Sequence, residues 1–355
     1  MANKELGWEL AEQINLGADF GLFNQALTGS VDYFIRNTKD MILSRPIPMY
    51  AGKQRPNVNA GTMSNKGLEV ALNYAKSIND FKFDVGLNLT FIKNEITSLA
   101  GGDPIRSGGV GKGGNSTKTE VGREIAYFFG YKTGGIIKTA DQLAEHILIQ
   151  PEAALGDVIF NDLNGPEGIP DGKITEDDMT YLGSASPKFT GGLNLNLAYK
   201  NFDMVMFFSG SYGNEIVNSM YQSLYSSTMN ETNISRDMAL NHWSTQNVTS
   251  DLPRLTASDP NLNGSRFSDR WVEDGSYLRV KNLQIGYSLP ASVSKIIHLK
   301  NMRVYASVDN LYTFTKYTGF DPELFGLYQN PFNYGIDMVN YPQPRTVSFG
   351  INLTL

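Results

Sequence analysis

The 355-residue chain contains no cysteine, only three histidines and no excess of positive charge. Without cysteine, disulfides, thiolate metal centres and thiol nucleophiles are excluded, and an oxidising cell envelope is a compatible setting. His146, His242 and His298 lie far apart, without HxxxH or HExxH spacing, and do not suggest a metal or catalytic centre. Thirty Lys and Arg stand against 36 Asp and Glu, a net charge of −6 with no basic stripe, which argues against nucleic acid as a partner. No run approaches the ~18 apolar residues that a membrane-spanning helix requires. No nucleophile elbow or P-loop is present, and the acidic neighbours Asp177-Asp178 and Glu273-Asp274 read as solvated loop residues, so the chain is not expected to be an enzyme.

What the chain does contain is alternation. From Arg345 to the end, Val347, Phe349, Ile351, Leu353 and Leu355 alternate with Thr346, Ser348, Asn352 and Thr354. Successive side chains of a strand point to opposite faces, so one face of this segment is apolar and the other polar. The pattern recurs at 14–22, 27–36, 68–74, 81–91, 126–137 (more weakly), 189–199, 202–212, 277–289 and 302–311, about ten strands in all. Within 277–289 the apolar phase switches between Val280 and Leu283, which predicts a β-bulge at Lys281-Asn282. Tight turns at Asn24-Gln25, 77–80 and Lys200-Asn201 contrast with long polar linkers at 101–125, 138–186, 213–275 and 312–340.

Strand length separates two readings of this pattern. Strands of a soluble sandwich average ~5–6 residues, whereas a tilted strand crossing a bilayer takes ~9–11. Here alternation persists for the full length of 81–91 and 345–355. Tyr33, Tyr74, Phe91, Tyr199, Tyr212 and Tyr287 sit near strand ends, as in the aromatic girdle of a lipid-embedded barrel. The expected fold is therefore all-β: an antiparallel transmembrane β-barrel with short connections on one side and long extracellular loops on the other. Lipid-facing backbone must be paired, so the barrel has to close. Ten strands either close alone, as a small autonomous porin, or form part of a larger cylinder. Outside the membrane, the alternative is a secreted β-rich carbohydrate-binding module, which would stay soluble without detergent. The opening residues show no signal peptide, so the sequence is expected to be a portion of a longer protein.

Several stretches are similar to one family. They are Leu6-Gly-Trp-Glu-Leu-Ala-Glu-Gln-Ile-Asn-Leu-Gly-Ala-Asp-Phe-Gly-Leu-Phe-Asn24 with Asp32-Tyr-Phe-Ile-Arg-Asn-Thr-Lys-Asp-Met-Ile42; Gly156-Asp-Val-Ile-Phe-Asn-Asp-Leu-Asn164 with Asp171-Gly-Lys-Ile-Thr175 and Leu182-Gly-Ser184; the run from Trp271 to Pro290; and the run from Asp309 to Glu323. In this order they resemble the SusC/RagA-type TonB-dependent transporters of the Bacteroidota outer membrane. The resemblance implies a 22-stranded barrel plugged by an N-terminal domain, with residues 1–355 matching the C-terminal part and no counterpart here to the plug or the TonB box. It also implies location in the cell outer membrane and import of oligosaccharides or peptides. A SusD-like surface lipoprotein would close over the substrate, and TonB would act only through the missing N-terminal region.

Two candidate sites follow from residue type and spacing. Trp271, Tyr277, Tyr221, Tyr225 and Trp243 lie on or beside the long linkers, where aromatic rings could stack on sugar faces or simply pack the loops. Asp162, Asn164 and Asp171, with Gly172, a Lys173 carbonyl and Asp178, fit positions 1, 3, 5, 6, 7 and 12 of an EF-hand-type calcium loop once Pro166 to Pro170 are set aside as an insert. Six to eight oxygens in flexible geometry suit Ca²⁺. The insert, and Asp rather than Glu at the last position, depart from that pattern, and an Asx-rich turn is the alternative.

Overall fold

The computed structural model describes residues 6–44, 52, 57–99, 103–111, 113–226, 233–296, 298–324 and 330–355. Nine strands form one antiparallel sheet: β1 (Leu10–Leu22), β2 (Leu27–Lys39), β3 (Gly61–Ile78), β4 (Phe81–Leu99), β5 (Phe189–Tyr199), β6 (Phe202–Tyr212), β7 (Tyr277–Ser288), β8 (Asn301–Thr315) and β9 (Thr346–Thr354). Each bonds to the next in sequence, so spatial order repeats chain order. Among the described residues β1 and β9 have one neighbour each, and the nine strands make an open wall rather than a closed cylinder.

The register turns the alternation of each strand into rows across the wall. One row runs Leu22, Leu27, Tyr74, Val85, Leu195, Met206, Leu283, Val308, Val347, one apolar side chain from every strand. Its neighbour on the other face runs Gly21, Thr28, Asn73, Gly86, Asn194, Phe207, Asn282, Asp309, Thr346, small or polar except for Phe207. A soluble sandwich would bury the apolar rows between two sheets. Here they lie open on a single layer, with Leu16 76% and Phe349 83% exposed.

The predicted bulge is present. The pairing of β7 with β6 and β8 slips beside Lys281, which faces Asn310 and Leu311 while Val280 pairs with Tyr312 and Asn282 with Asp309. Left-handed backbone closes the tight turns, at Phe23, Asn24 and Gln25, at Asn79 and at Lys200. The strand expected at 126–137 is not part of the wall. Tyr127–Gly130 and Thr133–Ile136 are short strands of two separate loop sheets, and Tyr127 and Phe128, on opposite faces, are both buried.

Connections at 23–26, 79–80, 200–201 and 289–300 are short, whereas those at 40–60, 100–188, 213–276 and 316–345 are long, so the long connections gather at one end of the wall. The long connections hold the molecule's buried core. Val110, Phe128 and Ala185 from one, Val217, Phe267 and Trp271 from another, and Ile336 from a third form a single cluster. Three loops thus pack as one body over the wall's polar face. There the buried Arg279 of β7 meets Asp321 and, at 2.8 Å, Glu323. On the same face Arg303 of β8 reaches across β7 to Asp203 of β6, with its Nε 2.9 Å from Oδ1. Gly286 of β7 lies under the guanidinium, and any Cβ there would overlap it.

Candidate functional site

The long connections at one end of the wall carry the candidate residues. Asn218 caps the short helix Ser219–Tyr225, its side chain accepting the Tyr221 N–H at 2.8 Å. Four residues separate Tyr221 from Tyr225, so their rings stand one turn apart on one helix face. They stack with centroids 4.1 Å apart and 26° between planes, and each is half-buried. Tyr221 also leans on Trp271 at 5.8 Å, and the Arg270 guanidinium lies over the far indole at 4.7 Å.

Of the five aromatic candidates, the structure therefore brings together Tyr221, Tyr225 and Trp271. Trp271 itself is fully buried, its ring packed inside the loop cluster, with Tyr221 and Tyr225 half-buried against that cluster. Trp243, 8% exposed, belongs to a separate cluster with Tyr131 and Phe160. Tyr277 opens β7, half-buried on the polar face beneath Arg279.

The acidic loop does not hold its carboxylates toward a common centre. Asp178 is buried and accepts the backbone N–H groups of Leu163 (2.8 Å), Asn164 (3.1 Å) and Thr175 (2.7 Å). Asp162 accepts from Gly172 N–H at 2.7 Å and Asp171 from Lys173 N–H at 3.1 Å. Among the described residues no three His, Cys, Asp or Glu side chains are placed to hold a metal ion. As placed, Asp171 and Asp178 make the contacts of an Asx-rich turn, their carboxylates accepting backbone N–H groups of their own loop, whereas Oδ1 of Asp162 is buried without a hydrogen-bond partner. Asp178→Ala would leave three donors unpaired and is expected to destabilise this loop by roughly 3 kcal/mol, given ~1–3 kcal/mol per orphaned group. Asp171→Ala removes one exposed bond and is expected to cost under ~1 kcal/mol. Limited proteolysis between residues 162 and 178 separates the two; equal cleavage of both variants would contradict this assignment.

Sequence reading missed one pair of acids. In the loop sheet at Glu215–Asn218 and Val272–Asp274, Glu215 pairs directly with Asp274. Burial, and then the Asp274 charge, push the Glu215 carboxyl up to about 7 from its ordinary 4.5, with Lys188 opposing. Asp274, hydrogen-bonded by Ser276, is held below the usual carboxylate range, so Glu215 takes the proton. Both border a cleft of 640 Å³ that Lys93, Glu124, Tyr181 and Lys188 also line. A raised carboxyl contributes stability fully below about 4.5 and loses it as pH rises through about 7. The Glu215–Asp274 ladder is therefore expected to open more readily at pH 8 than at pH 5. Glu215→Gln is expected to flatten that dependence. Hydrogen exchange at Ile216 and Val217, corrected for intrinsic rates, tests this, and parallel pH profiles in the two proteins would rule it out.

Comparison with known proteins gives this architecture a context. Residues 1–311 match the family model described as "TonB dependent receptor-like, beta-barrel". TonB-dependent receptor P3 of Formosa agariphila is 36% identical over 362 residues, covering 99% of this chain and 35% of that protein. TonB-dependent receptor SusC of Bacteroides thetaiotaomicron is 30% identical, covering 99% of this chain and 32% of that protein. The solved structure of the RagAB peptide transporter superposes with a TM-score of 0.80 at 26% identity, covering 99% of this chain and 36% of the matched chain. The chain thus spans about a third of the length of the curated relatives it matches.

Proposed function

Because this chain belongs to the TonB-dependent receptor-like β-barrel family, of the SusC/RagA type, we propose that it builds part of the outer-membrane wall of a nutrient importer. Its role is binding and passage rather than bond breaking. The apolar rows meet lipid, the polar rows face the lumen, and the packed extracellular loops hold an oligosaccharide or a peptide beneath a SusD-like surface lipoprotein. TonB would engage through parts of the transporter outside residues 1–355. The observation that carries this reading is the nine-strand row from Leu22 to Val347, since an unbroken apolar band on an open single layer is suited to hydrocarbon and not to water.

Within the loops, the stacked Tyr221 and Tyr225 are the substrate-contacting pair, because a flat aromatic surface packs against the apolar face of a sugar or an apolar side chain. Uptake of labelled oligosaccharides and peptides by cells carrying Tyr221→Ala with Tyr225→Ala tests the proposal. A tenfold or greater loss for one substrate class, with normal surface levels of the protein, is the expected result. Unchanged uptake of both classes would remove the tyrosine pair from the site. Failure of the chain to sediment with outer membranes would remove the importer reading altogether.

A further inference from the structure

The polar face of the wall breaks its own pattern at Phe34. On β2 that face runs Thr28, Ser30, Asp32, Phe34, Arg36 and Thr38, and the register sets Phe34 between Asn15 of β1 and Gly67 of β3. The ring lies down on the sheet: any Cβ at Gly67 would overlap it, and Gly67 is buried although Asn15 and Glu69 nearby are exposed. Asp32 folds in the same way across Gly17 of β1, where any Cβ would meet its carboxylate. On one side of the ring Arg36 pairs with Gln13, and on the other Asp32 pairs with Glu69. Gln13, Asn15, Asp32, Phe34, Arg36 and Glu69 line a recess of 270 Å³. Phe34 lies six residues beyond Thr28, the β2 member of the Phe207 row, so the recess sits roughly 20 Å from that row toward the long connections.

The charges of this recess are unpaired, unlike others on the same face. Arg279 is held by Asp321 and Glu323, and Arg303 by Asp203. Among the described residues Arg36, Asp32 and Glu69 make no ion pair within 4.0 Å. Asp32 and Glu69 stand directly opposite one another, a like-charge pair that weakens the sheet. This set of groups selects an uncharged occupant. A cation drawn to the two carboxylates meets Arg36, and an anion drawn to Arg36 meets the carboxylates. A neutral sugar ring suits both, because a hydroxyl donates to a carboxylate and accepts from a guanidinium or an amide. Its apolar face packs on the flat phenyl ring. At 270 Å³ the recess falls just below the ~300 Å³ at which small-molecule sites begin, which fits one or two units of a longer chain.

We propose that Phe34, with Gln13, Asn15, Asp32, Arg36 and Glu69 around it, forms a subsite for a neutral sugar unit of an imported oligosaccharide. The subsite rests on the reading that the polar rows face the lumen of an importer, and it narrows that reading to carbohydrate rather than peptide.

Binding of the full transporter, purified in detergent, to an array of neutral oligosaccharides, acidic oligosaccharides and peptides tests the subsite. Wild type is expected to bind neutral oligosaccharides. Phe34→Ala and Phe34→Leu are each expected to weaken that binding at least tenfold, whereas Phe34→Tyr, which keeps a flat face, stays within threefold of wild type. Asp32→Asn with Glu69→Gln is expected to weaken it at least fivefold without lowering the melting temperature, since the substitutions remove a repulsion. Full binding by Phe34→Leu would show that the ring only packs against another part of the transporter, and would overturn the subsite while leaving the importer reading intact. Binding confined to peptides or acidic oligosaccharides, or to nothing on the array, would overturn the ligand class. Failure of the transporter to fractionate with outer membranes would overturn the importer reading and the subsite together.

Discussion

Leu195→Arg is expected to destabilise the wall by ~2–4 kcal/mol, the cost of an arginine on the lipid face near the bilayer midplane. Leu195 sits in the middle of β5, within the row that takes one apolar residue from each of nine strands. Asn194, one residue away at almost the same depth, points to the opposite face and is exposed. Asn194→Arg is expected to change stability by less than ~0.5 kcal/mol, as surface substitutions usually do. The comparison controls for strand, depth and residue type, leaving only the face. Denaturant unfolding from phospholipid bilayers measures both variants, and equal costs would be incompatible with a wall that has lipid on one side and water on the other.

Asp321→Ala is expected to cost about 3–5 kcal/mol locally, because it strands a buried cation. The Arg279 side chain is 4% exposed; its guanidinium is held by Asp321, by Glu323 at 2.8 Å and through Nε by the Thr313 hydroxyl at 2.7 Å. Lys281, the bulge residue, adds a second cation on Glu323 at 2.7 Å. The bulge thus aims Lys281 at the same loop that Arg279 holds, which gives the irregularity in β7 a structural purpose. Loss of Asp321 would free the segment 316–345 from the wall, and protease cleavage there is the readout. Replacing both partners, Arg279→Met with Asp321→Leu, is expected to restore much of the loss, since a buried apolar pair can match a buried ion pair. The exposed Lys39–Glu12 pair makes the contrast: Lys39→Ala is expected to cost ~0–1 kcal/mol. Similar cleavage of the Asp321 and Lys39 variants would contradict the anchoring role.

The wall was legible in the sequence because a two-residue period is a local signal. It located eight of the nine strands to within a few residues at one or both ends, and the phase switch at Val280 located the bulge. The full length of β3 and β4 was not legible. Beyond Phe91, the residues Ile92, Lys93, Asn94 and Glu95 break the alternation, yet pairing of the two strands continues to Leu99 through the backbone, which carries no side-chain signature. The segment 126–137 misled for a related reason: Tyr127 and Phe128 are both buried because the loops cover both faces of a four-residue strand. The loop body was invisible, since Val110, Val217 and Ile336 meet over separations of more than a hundred residues. The sites were partly legible. Residue type singled out Tyr221 and Tyr225 as candidates, and their helical spacing stacks the rings, but it did not show that Trp271 was buried beside them. Ligand-like spacing at Asp162 to Asp178 did not reveal that Asp178 turns inward to three N–H groups. Nor did it show that Glu215 lies across from Asp274, a pairing set only by the loop sheet.

Nitroxide labels placed one at a time along Phe81 to Phe91 in bilayer-inserted protein test the central claim most directly. Labels at 81, 83, 85, 87, 89 and 91 are predicted to collide with oxygen dissolved in the hydrocarbon, and labels at 82, 84, 86, 88 and 90 with a water-soluble nickel chelate. Loss of that two-residue alternation, or its reversal, would contradict a wall whose apolar face meets lipid.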